Sequence, residues 1–446
     1  MTKDLTRGTP WKLIVQFALP IMAGNLLQQL YNTADTIIVG NFNGQQALSA
    51  VGACASLTVL FTALAIGFSI GAGVLISQYF GASREQELRQ YAATAIVLML
   101  AMGLLMSLIG VCSARFLLAR ALGTPEALLP LTLPYFRIYA AGLVFQFGYN
   151  IAAALLRALG DSKATLYFLL VSSVLNVVLD LVFVAGLGMG VAGAAIATVI
   201  SQIASCVIGF AYMHRRYALL RFSLRELRMD LKTAGRILQV GAPMAIQQSI
   251  VSCGFLFLQR LVNYYGESMI ASYTVASRME NILMIPIIGI QNTMATFAGQ
   301  NMGAQRPDRV SKGLGQGVLV SLGMTLILCL AQIAGIPLII RAFQLDAGAA
   351  DICRLHLFSS AVAIPIFAVY FPANGMCQGV GEGFHATFYA LLALGLRVVF
   401  AYALHKTSLF GYTAIWWSQA MSWTITLVVC YVHFFRGKWK DKSLIS

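Results

Sequence analysis

Residues 20–41 read PIMAGNLLQQLYNTADTIIVGN. Taken as one helix at about 100° per residue, they place Asn25, Gln28, Asn32 and Asp35 inside a single arc of about 80°. An acid and three amides on one face of a largely apolar run describe a membrane span with one wet side. A carboxylate in hydrocarbon costs about 2.5–3.5 kcal/mol on insertion scales, so such a residue faces a cavity or a partner.

The rest of the chain supplies the same apolar setting. Of its 446 residues 59% are Ala, Val, Ile, Leu, Met, Phe, Trp, Tyr or Cys and 10% are charged, where a soluble domain carries about 25% charge. Soluble enzymes, disordered chains and disulfide scaffolds are excluded together. A span needs about 20 apolar residues, and twelve such stretches are centred near residues 25, 65, 102, 145, 174, 202, 250, 286, 327, 364, 396 and 424. The first is longer than the apolar core of a signal peptide and reads as a retained helix. The eight cysteines form no CxxC pair and read as small core hydrophobes.

Charge orients the bundle. The formal net charge is +14, but the basic residues lie between apolar runs instead of sharing a face with aromatics. That argues for anionic lipid headgroups as partner and against nucleic acid. With both termini cytoplasmic, twenty-one Lys and Arg fall inside and only Arg115, Arg120, Arg341 and Lys406 outside. The expected location is the plasma membrane. The longest polar interval runs from His214 to Arg236, and Leu224, Leu227 and Leu231 in it suggest a basic amphipathic helix on the inner leaflet.

That interval separates two copies of one pattern. At an offset of 221 to 223, Ala18-Leu19-Pro20 meets Gly241-Ala242-Pro243, the segment 77–82 meets 299–304, and Gly160-Asp161 meets Gly381-Glu382. The predicted fold is an all-α integral membrane protein. Its twelve transmembrane helices form two six-helix bundles related by a pseudo-twofold axis along the membrane normal: an N-lobe (1–213), a connector (214–236) and a C-lobe (237–446). Six spans per copy suits alternating access around a site between bundles.

Few residues can carry chemistry. Asp35 and Asp180 are the acids clearly within spans, with Glu280 near the start of the eighth; Asn176 precedes Asp180 by one turn, and Thr198 adds a hydroxyl. Converging carboxylates, amide and hydroxyl suit Na+, or a shared proton, or plain hydrogen bonding between helices. The second copy has Gln248, Val251, Phe255 and Leu258 for the first-span stripe, and Arg397, Ala401 and Gln419 for Asn176, Asp180 and Thr198. The acid pair therefore belongs to the first half alone. Asn25, Gln28, Asn32, Asn150 and Gln248, with Arg260 and Arg397, are candidates for a substrate cavity. An arginine there pairs with an acid, reaches an interface or receives an anionic substrate group. Pro20 and Pro243 interrupt first spans, which makes Pro20 a candidate hinge. The five histidines show no ligand spacing, and no P-loop, GxSxG or HExxH occurs, so neither ATP-driven pumping nor enzymatic catalysis is expected, nor a cofactor.

Residues 20–41, RALGDSKA (157–164), LNVVLDLVFV (175–184) and GVAGAAIAT (190–198) together resemble the multidrug and toxic compound extrusion (MATE) family along essentially the whole chain. The resemblance implies a V-shaped monomeric antiporter that exports bulky, often cationic small molecules against inward H+ or Na+. It matches Asp35, Asn176, Asp180 and Thr198 to the family's N-lobe cation site and Pro20 to the bending point of its first helix. The wider superfamily also contains flippases of lipid-linked compounds, and Arg260 and Arg397 keep that alternative open.

The charge bias fixes a first prediction. In a cysteine-free background, a cysteine introduced at Lys232 is expected to react with impermeant maleimide only from the cytoplasmic face. Labelling from outside intact cells would contradict the topology.

Overall fold

The computed structural model describes residues 4–223, 225–442 and 444–445, leaving aside the side chains of residues 45 and 252–257. Lys3, Leu224, Cys253 and Phe255 of the sequence reading lie outside that description. Among the described residues the chain is helical throughout, because helices satisfy their own backbone groups where water is absent. The helices are α1 (Pro10–Gly44), α2 (Gln46–Gly81), α3 (Glu85–Ala121), α4, α5 (Ser162–Gly186) and α6 (Gly190–Arg216), followed by α7 to α12. Helix α4 has two segments, Glu126–Ala141 and Leu143–Ala158, bent by 43°. The second set is α7 (Leu231–Tyr264), α8 (Glu267–Gly303), α9 (Pro307–Ala342), α10 (Ala347–Val380), α11 (Gly383–Leu404) and α12 (Ala414–Phe435).

Among the described residues nine of these helices are long and apolar enough to cross a membrane, ten with the bent α4 counted as one span. Helix α12 falls outside that criterion. In α12 Gln419, His433 and the polar edges of Trp416, Trp417 and Trp423 dilute the apolar run.

The backbone repeats at the offset found in the sequence. Left-handed residues recur in register: Gly44 (φ 76°) with Gly266 (85°), Ser83 (56°) with Gln305 (57°), Gly123 (64°) with Gln344 (50°), and Gly160 (87°) with Gly381 (95°). At Gly44 ψ is −174°, a region essentially closed to residues with a Cβ, and this is what ends α1.

Two compact units emerge. One contains Met1–Asp4 and Ala23–Ser249, the other Leu5–Met22 and Ile250–Ser446. The opening turns of α1 thus belong to the second unit and those of α7 to the first. Glycine contacts make this possible. On α2, a Cβ at Gly67 or Gly71 would run into the backbone of Ala245 or Gly241 on α7; on α8, a Cβ at Gly289 would run into Met22 on α1. In the second unit Gln300 and Asn301 at the end of α8 hold Leu5: Leu5 N donates to Gln300 Oε1 (2.9 Å), and Asn301 Nδ2 donates to Leu5 O (3.3 Å). Helix α1 keeps helical dihedrals through Pro20 and crosses from one unit to the other just beyond it.

The connector is not the amphipathic helix expected from its leucines. A short 3-10 turn at Ala218–Leu220 and irregular chain lead to α7, and Leu231 is already the first residue of that helix. Asp230 marks the break, because its Oδ1 accepts from Thr233 N at 2.6 Å and so starts α7 where the expected helix would have continued. Arg89 on α3 gathers the chain before it. Its guanidinium donates to Ala218 O, Leu219 O and Arg221 O, each at 3.1 Å, and to Glu226 Oε1 at 2.6 Å. The Ser223 N–H, followed by Arg89, holds the Glu226 carboxyl down at about 2.

The glycine contacts generate the second prediction. Gly71→Ala is expected to destabilise the protein by about 1–3 kcal/mol through overpacking. Gly315→Ala, which meets nothing within 4 Å, should be neutral or slightly stabilising. Melting temperatures of the purified variants in one detergent check this, and equal values would contradict it.

Candidate functional site

The first unit brings the two intramembrane acids together. Asp180 closes the regular part of α5 and is fully buried, and Asn176 one turn earlier is nearly so. Asp35, half-buried on α1, is an electrostatic neighbour of Asp180 in the same unit. Two neighbouring carboxylates repel and cannot donate to one another, so the pair calls for a proton or a cation. Directly after Asp180 the helix widens into π turns over Leu181–Gly186, a form frequent at functional positions. The repeat partner, Ala401, sits in regular α11.

The site's polar atoms lack protein partners. Asp35 Oδ1, both carboxylate oxygens of Asp180 and both amide atoms of Asn176 are buried without a hydrogen bond. Buried polar atoms are nearly always paired, so five orphans in one group of three residues point to something bound from outside the chain. Oxygen-rich donors of this kind fit a hard monovalent cation or a proton. The Thr198 hydroxyl instead donates to Ala194 O on its own helix, at 2.9 Å, leaving only its lone pairs for a ligand.

The second half repeats the geometry without the charge. Leu258 and Ala401, the counterparts of Asp35 and Asp180, are both fully buried and belong to one apolar cluster with Leu261, Val262, Met269, Ile415 and Trp416. The same helix positions meet in both halves, dry in one and ionisable in the other.

The other expected residues spread out. On α1, Asn25 is half-buried, while Gln28 and Asn32 are exposed. Asn150 on α4 donates to Gln146 O at 2.9 Å, and Gln248 is half-buried on α7. Arg260 is exposed near the end of α7, but Arg397 is buried in α11. The sequence reading missed a polar network beside the acids. Gln146 Nε2 donates to Thr62 Oγ1 (2.8 Å), and Tyr139 Oη donates to Gln146 Oε1 (3.2 Å), while Tyr31 and Tyr135 lie within electrostatic range of Asp35. Tyr135 and Tyr139 are i, i+4 on α4, a spacing that was available as a signal.

Two histidine groupings correct the view that the histidines are scattered. His356 Nε2 lies 3.3 Å from Glu280 Oε1, with its ring stacked between Tyr273 and Trp416. Glu382, His385 and His433 form the other. The first joins three helices that are far apart in the chain; in the second the i, i+3 spacing of Glu382 and His385 was available as a signal, while His433 comes from another helix.

The MatE family model matches residues 20–182 and 243–403, one block in each half. The chain belongs to the MatE family of multidrug efflux transporters. It is 28% identical to the probable multidrug resistance protein YpnP of Bacillus subtilis (strain 168), over 99% of both chains. A crystal structure of MATE in the straight conformation superposes with a TM-score of 0.91 at 26% identity, covering 98% of this chain and 97% of that one. The outward-facing conformation of a multidrug resistance MATE family transporter of the MOP superfamily gives 0.88 at 26% identity, over 98% of each chain.

The network beside the acids yields a third prediction. Gln146→Leu removes two hydrogen bonds but leaves Thr62 and Tyr139 paired with each other at 3.3 Å, and is expected to cost about 1 kcal/mol. A thermal unfolding midpoint equal to wild type would show that the network carries no stability.

Proposed function

We propose that this MatE protein is a secondary active antiporter. It exports bulky cationic or amphipathic organic compounds in exchange for inward H+ or Na+. All twelve helices would span the plasma membrane with both termini cytoplasmic, in keeping with the basic-residue bias. The observation that carries the coupling assignment is the group of orphaned buried oxygens on Asp35, Asn176 and Asp180, in a family of efflux transporters.

The mechanism follows from charge. With the cation bound, the acid pair is neutralised and its burial is tolerated. With the site empty, negative charge remains among apolar helices, which favours a state that admits water or a cationic substrate. Cation and substrate then weaken each other's binding by the same factor. An inward membrane potential contributes about 2.3 kcal/mol per charge per 100 mV. Thr198 offers a further oxygen, Asn25, Gln28, Asn32, Asn150 and Gln248 supply polar groups along the substrate path, and Pro20 is the bending point of α1. A second reading, export or flipping of anionic compounds, draws on Arg397, whose buried guanidinium stands where the first half has Asn176. Replacing a cationic dye by an anionic one in the same transport assay separates the two readings.

The fourth prediction concerns the acids. Asp35→Asn and Asp180→Asn are each expected to abolish ion-driven export of a fluorescent aromatic cation such as ethidium from cells, at unchanged expression and melting temperature. Ala401→Ser in the apolar counterpart should retain most activity. Wild-type efflux in the double Asn variant would overturn the coupling assignment.

A further inference from the structure

The second unit contains a cluster that the transport reading does not use. Glu382 occupies the N-cap position of α11, His385 lies in its first turn and His433 in the last turn of α12. One ligand atom from each lies within 4.8 Å of the others. Glu382 Oε2 is 2.7 Å from His433 Nε2, and the His433 and His385 rings stack with centroids 4.4 Å apart. The Glu382 side chain is fully buried, and its second oxygen meets Lys442 Nζ at 2.8 Å. Burial alone would raise the Glu382 carboxyl, but Lys442 and His433 hold it below its ordinary value.

The internal repeat separates what folding needs from what has been added. In the first half Asp161 occupies the place of Glu382. It caps α5 through Ala164 N (3.0 Å) and accepts hydrogen bonds from the Tyr212 and Tyr217 hydroxyls. An offset of 221 carries Ala164 onto His385 and Tyr212 onto His433. Asp161 is thus a side-chain cap that also accepts from the end of α6, whereas Glu382 holds the same N-cap position with no side-chain cap hydrogen bond and meets the end of α12 through His433. The second half places an imidazole at each of the two neighbouring positions, where the first half manages with a methyl group and a phenol.

Two imidazoles and a carboxylate are a ligand set for borderline divalent metals, Zn2+ foremost, with a fourth position left for water. Glutamate and histidine at i, i+3 project from one helical face, and the second histidine comes from a neighbouring helix. We propose that Glu382, His385 and His433 form a binding site for a divalent metal of the Zn2+ class, in which Lys442 is the competing cation on Glu382. Metal arrival displaces the half-exposed Lys442 ammonium. That loosens one tie of the C-terminal segment, whose other anchor is the buried Trp439, donating from Nε1 to Phe434 O at 3.0 Å.

The test is metal binding by the full-length, tag-free protein in detergent, independent of any transport assay. Zn2+ is titrated against a chromophoric chelator, and Co2+ is used to read the ligands. The expected result is one tight site whose Co2+ spectrum lacks a thiolate charge-transfer band. His385→Ala should weaken it at least about tenfold and Lys442→Ala should tighten it a few-fold. His385→Ala is the primary variant because His433 also anchors Glu382, and its melting temperature is measured alongside. No uptake at about 100 μM Zn2+, far weaker than a site of this ligand set should be, would overturn the proposal. So would a thiolate band, or affinity unchanged by His385→Ala.

Discussion

Two carboxyl groups buried against each other, Asp35 on α1 and Asp180 on α5, are the constraint around which the first half is organised. Neither can donate to the other, and neither finds a hydrogen bond elsewhere in the described residues. Like charges this close among apolar helices are stable only with a counterion or a proton. On the proposed function, a bound cation or proton supplies what these two acids lack. The second half shows the alternative, since Leu258 and Ala401 close the same junction with apolar contact alone.

The duplicated architecture makes that contrast interpretable. Left-handed turns recur in register, and each half lends the opening turns of its first helix to the other's unit. Shared elements report what folding requires, such as an acid at the N-cap position in Asp161 and Glu382 and the glycine-lined contacts of α2 and α8. Unshared elements mark what one half does alone. These are the Asp pair with its following π turns on one side, and His385 with His433 on the other.

Much of this was legible in the sequence, and the exceptions have physical reasons. Apolar runs and the distribution of Lys and Arg report the solvent each segment meets, and so expose helices and halves. A carboxylate in such a run is conspicuous, and the helical period placed Asn176 and Asp180 on one face. The exchange of α1 and α7 between units depends on Gly67, Gly71 and Gly289 meeting residues far away in the chain, which no local pattern encodes. The connector's leucines matched a helical period, but Asp230 starts α7 just before Leu231 and Arg89 from another helix holds the preceding chain. His356 of α10 and His433 of α12 showed no ligand spacing because their acidic partners, Glu280 and Glu382, come from separate elements. Tyr139, Gln146 and Thr62 are ordinary residues for a membrane helix, and only packing reveals that they bond together.

The central claim is that a cation held by Asp35 and Asp180 is exchanged for substrate. The most direct measurement is ion flux in proteoliposomes of purified protein, with internal pH and Na+ followed by separate indicators as an aromatic cation is added on one side. The account predicts that substrate addition drives H+ or Na+ in the opposite direction, and that reversing the ion gradient reverses substrate movement. Substrate transport with neither ion moving, or transport indifferent to both gradients, would contradict it.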